Sequence, residues 1–61
     1  MKWNKKNEAL DLCNIGLIYH LKGKKDKALD YLNQALEIYK QIGAKREIKQ
    51  TERDIQALKG K

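Results

Sequence analysis

The 61-residue sequence predicts an all-α protein, an antiparallel helical hairpin followed by a third, capping helix. Three observations carry that prediction. Proline is absent and charged residues make up 36% of the chain, a composition suited to surface-exposed helices. Ala28, Leu32, Ala35, Tyr39 and Ile42 recur at alternating steps of four and three, the spacing of one helical face. Gly23 and Gly43 interrupt the apolar periodicity where a helix would need a left-handed residue to end.

The first helix is expected over about residues 5–22. Asn4 is its N-cap, Glu8 suits the positive end of the helix dipole, and Trp3 would staple the entering chain against Glu8 or Leu12. Leu12, Ile15, Gly16 and Tyr19 form one face, while Leu17, Ile18 and Leu21 leave little polar surface around it. The second helix is expected over about residues 25–42. Its main face is widened by Leu29 and Leu36, and Tyr31 and Ile38 form a stripe beside it, so this helix must be covered from two directions. Gly16 and Ala28 lack bulk where the two helices would cross, which lets the backbones approach, with Tyr19 and Leu32 filling the flanks. Lys24, Lys25 and Lys27 crowd the start of the second helix and oppose its dipole, offset in part by Asp26. Gly43, Ala44 and Lys45 then lead into a third helix over about residues 46–59, with Ile48, Ile55, Ala57 and Leu58 as a thin apolar stripe around Thr51.

These small and large residues together resemble the tetratricopeptide repeat (TPR). Leu12, Ile15, Gly16, Tyr19, Gly23, Ala28, Leu32 and Ala35 stand at the family's signature offsets, and Lys40 stands where the family often has proline. The second helix therefore runs on to Ile42, as in the longer variety of the repeat, of about 40 residues, found in kinesin light chain-like proteins. A shift of 40 residues aligns Ile48, Glu52, Asp54, Ile55 and Leu58 with Glu8, Leu12, Asn14, Ile15 and Ile18. The third helix thus resembles a degraded first helix of a following repeat, wet on one face, as the end of an array requires. The resemblance implies an α-solenoid unit spanning residues 1–61 whose first helix lines a partner-binding groove through Leu10, Cys13, Leu17, His20 and Leu21. Asn14 falls where long-period members carry an amide that pairs with a bound peptide backbone. The carboxylate clamp of chaperone-binding members is missing, since Cys13 and Leu17 occupy its offsets.

Length limits the chain to one small domain, and chains this short are marginal alone. The single Cys13 excludes an internal disulfide, and one cysteine with one histidine cannot complete a four-ligand zinc site. Association remains as the source of stability, so the chain is expected to form a homo-oligomer or to be a unit of a longer array. No run approaches the ~20 apolar residues of a membrane span and no secretory signal is present, which, with a free thiol, points to the cytoplasm. No cofactor is called for. Cys13 and His20 sit ~10 Å apart along their helix, too far for a thiolate–imidazole pair, and Asp26 and Asp30 lie on a lysine-rich solvated face. The sequence is therefore read as a non-enzyme that binds protein or peptide. The alternative is a basic nucleic-acid-binding protein. The net charge is +6, with Lys22, Lys24, Lys25 and Lys27 at one end of the hairpin and Lys45, Arg46, Lys49 and Arg53 along the third helix.

Overall fold

The structure, a computed structural model, describes residues 4–60 and consists of α1 (Lys5–Leu21), α2 (Lys25–Ile42) and α3 (Lys45–Lys59), with no strand among those residues. The expected staple by Trp3 lies outside the described residues. α1 stops one residue earlier and α3 starts one residue earlier than the apolar spacing suggests. Lys22 already has ψ near 1°, and Ala44, at φ -82° and ψ 80°, is the non-helical residue from which α3 departs.

Both turns are built alike. Lys24 N–H donates to the Tyr19 carbonyl at 2.8 Å and Gly23 N–H to that of His20 at 3.0 Å. Ala44 N–H donates to the Tyr39 carbonyl at 3.0 Å and Gly43 N–H to that of Lys40 at 3.3 Å. This is the Schellman arrangement, which absorbs carbonyls the helix would leave unpaired. It requires a left-handed residue, supplied by Gly23 at φ 78° and Gly43 at φ 69°.

The helix starts differ. The Asn4 carboxamide accepts from the N–H groups of Lys6 and Asn7 at 3.0 and 3.2 Å, as an N-cap does. Lys24 and Ala44 offer no such oxygen to α2 and α3. In α3, Glu47 takes over part of the task. A hydrogen bond from its own backbone N–H, and then the Lys6 ammonium at 3.4 Å, hold its carboxyl below the usual range.

The core follows from the crossing of α1 and α2. Ala28, Leu32, Ala35 and Tyr39 are buried on α2 and meet the buried Ala9 and Gly16 of α1. A methyl group at Gly16 would lie 3.1 Å from the Ala28 carbonyl oxygen and 3.2 Å from Leu32 Cγ. The backbones are therefore as close as the missing side chain allows. Ala9, Ala35 and Tyr39 form the central cluster, with Leu12, Cys13, Ile38, Ala44 and Ile48 packed around it. α3 docks through buried Thr51 and Ile55, flanked by half-buried Ile48 and Leu58. Ala57, expected in that stripe, is exposed. It lies two residues past Ile55, a rotation of about 200° that carries it out of the buried face to the rim of the cleft it shares with Leu17 and His20.

This geometry generates three predictions. Gly16→Leu should lower the thermal midpoint, at about 1–3 kcal/mol of overpacking and roughly 4–8 °C per kcal/mol. Gly23→Ala meets no atom within 4 Å, yet should lose about 1 kcal/mol because its φ of 78° is strained for alanine. Lys24→Asp should raise stability by about 1 kcal/mol, by supplying the absent cap oxygen and removing a cation from the positive end of α2. Thermal melts followed by circular dichroism check all three.

Candidate protein-binding face

α1 presents three stripes, each set by helical spacing. The first, Ala9, Leu12, Gly16 and Tyr19, faces α2 or borders that seam. The second carries Lys6, Cys13, Leu17 and His20 toward α3: Lys6 pairs with Glu47, Cys13 touches Thr51, and Leu17 and His20 share a cleft with Asp54, Ala57 and Leu58. The third, Leu10, Asn14, Leu17 and Leu21, advances by four, three and four residues and points away from α2.

That third stripe is largely open. Leu10 and Leu17 are each 45% exposed and Leu21 is 85% exposed, with the exposed Asn14 among them. Leu17 belongs to both outer stripes and joins the leucine row to the cleft against α3. The cleft holds ≈160 Å³ and adjoins a second of ≈230 Å³ lined by His20, Gly23, Lys25, Ala57 and Leu58. Each is smaller than the roughly 300–1,000 Å³ of a small-molecule site and matches one or two side chains of a docked segment. Leu21 stands outside both clefts.

Cys13 is turned under α3 and is only half-exposed. Its Sγ lies 4.0 Å from Thr51 Oγ1. Burial raises the thiol pKa above its ordinary value, outweighing hydrogen bonds with Thr51 and Tyr39 that pull it down. The Tyr39 hydroxyl is pushed up to about 12, by burial first and then by Cys13. Neither group is activated for chemistry at neutral pH. Among the described residues no three His, Cys, Asp or Glu side chains gather as a metal site would require.

Two features escaped the sequence reading. The cleft beside Leu17 and His20 takes its second wall from α3, through Asp54, Ala57 and Leu58. A signal was present, because the shift of 40 residues places Asp54 at Asn14 and Ala57 at Leu17. The rings of Tyr19 and Tyr31 stack with centroids 5.5 Å apart and planes within 8° of parallel, joining α1 to α2 on the side away from α3.

Residues 9–41, more than half of the chain, match the family model for the tetratricopeptide repeat. The chain belongs to the TPR family. The match begins at buried Ala9 and ends one residue before Ile42, so it covers the hairpin and its signature crossing. In TPR terms α1 and α2 are the two helices of one repeat, and α3 is a third helix packed on it. TPR repeats are generally protein- or peptide-binding modules without catalytic function. No curated protein and no solved structure matches the chain. No helix among the described residues is long and apolar enough to cross a membrane.

The raised values of Cys13 and Tyr39 fix a pH dependence. The unfolded groups ionise near 9.0 and 10.0, and the folded groups later, Tyr39 at about 12. The folded form therefore binds more protons in that interval. Stability should be full below pH 9 and fall as pH rises through the folded values. Urea midpoints at pH 8, 10 and 11.5 should decline in that order, with a shallower decline in Tyr39→Phe.

Proposed function

We propose that this TPR unit is a non-enzymatic interaction module that seats an extended or helical segment of a protein partner along the leucine row of α1 and against α3. The observation that carries this reading is the run of Leu10, Leu17 and Leu21, exposed on one helix where a folded chain would otherwise bury them. Asn14 lies within the row to bond a peptide backbone, and the clefts beside His20 take side chains. The unit is of the long-period variety: α1 begins at Lys5 and α3 at Lys45, 40 residues on, and α2 continues past Lys40 to Ile42. Self-association accompanies partner binding, because a hairpin this small leaves apolar surface uncovered.

Arrayed peptides of random sequence probe the groove directly. Wild-type protein should retain a subset of apolar peptides, and Leu17→Asp should weaken that binding at least tenfold with its helical circular dichroism unchanged. Retention of the same peptides by both proteins would remove the groove from the reading. The nucleic-acid alternative draws on the exposed Lys22, Lys24, Lys25 and Lys27 at the hairpin end. Submicromolar binding of a random duplex at about 150 mM salt, with a steep salt slope, would favour it.

A further inference from the structure

Residues 20–27, which form the hairpin turn, are exposed without a break. Leu21, 85% exposed, stands among Lys22, Lys24, Lys25 and Lys27, and Asp26 is the one carboxylate in that run. The turn itself gathers these groups. Lys22 N–H donates to the Ile18 carbonyl and Lys24 N–H to that of Tyr19, which folds both lysines back on the last turn of α1. Leu58 of α3 shares a cleft with His20, Gly23 and Lys25, so the exposed Lys59 comes to the same tip. Ile18, 52% exposed, lies one turn behind Leu21, about 4.5 Å along the helix axis.

The second turn is an internal comparison. It is built on the same bonds, yet it has Gln41 where the first has Leu21 and Ala44 where the first has Lys24. Ala44 packs against the central cluster, and Ile42 beside it is 42% exposed, half as open as Leu21. The turn geometry therefore requires neither a projecting leucine nor a lysine at those places.

Leu21 projects from the tip and lines neither cleft against α3. A methyl group added at the neighbouring Gly23 would meet nothing within 4 Å, so no wall rises on that side either. A nucleic acid would neutralise the lysines and leave Leu21 in water. A bilayer containing anionic lipid offers both phases together: headgroup charge for the lysines and, about 5–10 Å deeper, an apolar boundary for Leu21 and Ile18. Each lysine close to such a surface strengthens binding about fivefold, and full burial of a leucine strengthens it roughly tenfold to a hundredfold. Either contribution alone is a marginal anchor, and the tip carries both.

We propose that the hairpin turn is a peripheral membrane-contact tip. Leu21, followed by Ile18, enters the interface of a bilayer rich in anionic lipid, while Lys22, Lys24, Lys25 and Lys27 lie against its headgroups. The contact goes beyond peptide binding and does not depend on it, since the cleft between Leu17 and α3 lies behind the tip.

Co-sedimentation of the full chain with lipid vesicles tests the assignment. Phosphatidylcholine vesicles with about 30% phosphatidylserine should retain the chain at about 100 mM salt, and about 500 mM salt should release most of it. Vesicles of phosphatidylcholine alone should not retain it. Leu21→Ser should weaken retention at least roughly tenfold with helical circular dichroism unchanged, since the side chain is already exposed. Lys24→Glu with Lys25→Glu should weaken it at least about twentyfold. Lys45→Glu with Arg46→Glu removes the same charge from the opposite end of the hairpin and should change it less than about threefold. Equal retention on phosphatidylcholine alone, or indifference to Leu21→Ser, would overturn the proposal. Equal losses from the two reversed pairs would overturn it as well, by reducing the effect to net charge. Retention on a random DNA duplex but not on the anionic vesicles would assign the lysines to nucleic acid instead. Vesicle binding that persists when no arrayed peptide is held would support the tip and remove only the groove reading.

Discussion

The fold depends on one close approach, that of the α1 backbone at Gly16 to the Ala28 carbonyl and the Leu32 side chain. Only hydrogen fits on the Gly16 α-carbon at that distance without displacing a neighbour. The gain is contact: with no side chain between them, atoms along both helices come within dispersion range, and Ala9, Ala35 and Tyr39 pack around the same seam. A glycine inside a helix sacrifices about 1 kcal/mol of intrinsic helix preference relative to alanine. The seam must offset that loss, and its small residues are what let it do so. The placement of α3 follows, because Thr51 reaches Cys13 only when α1 and α2 are drawn together.

Much of this was legible beforehand. Gly16, Ala28 and Ala35 lie at helical spacing, so the crossing could be read directly, and the two turn glycines marked both helix ends to within a residue. Asn4 was legible because a carboxamide before a helix has few other uses. The groove residues divide differently. Leu10, Asn14, Leu17 and Leu21 lie where one helical stripe would put them, whereas Cys13, one step round the helix, is turned under α3. That distinction needs the position of the third helix, which sequence spacing on α1 does not contain. Thr51 stands within α3's apolar stripe by spacing alone, but that its hydroxyl faces the Cys13 thiol is visible only in the fold. The tyrosine stack was hidden for another reason: each ring sits on a side stripe of its own helix, and their meeting depends on the tilt of one helix against the other.

Charge is distributed according to what each end of the molecule must do. Lysines gather at the hairpin turn, where α2 starts without a side-chain cap, and there they work against the local dipole. The start of α3 is gentler, with Glu47 held by its own backbone N–H and by Lys6 of α1. The ion pair is exposed and contributes little to stability, but it ties the first turn of α3 to the first turn of α1. A cluster of positive charge therefore marks the turn end of the molecule, away from the seam formed by Tyr39 and its neighbours.

Cys13 sits at the joint between α1 and α3, its sulfur against Thr51. α3 buries two residues where α2 buries four, so its undocking lies at the low end of the free-energy ladder for local opening. Each time α3 lifts, the sulfur meets solvent and loses the burial that holds its proton. The molecule thus carries a built-in gauge: the rate at which this thiol is alkylated counts excursions of the last helix while the hairpin stays closed.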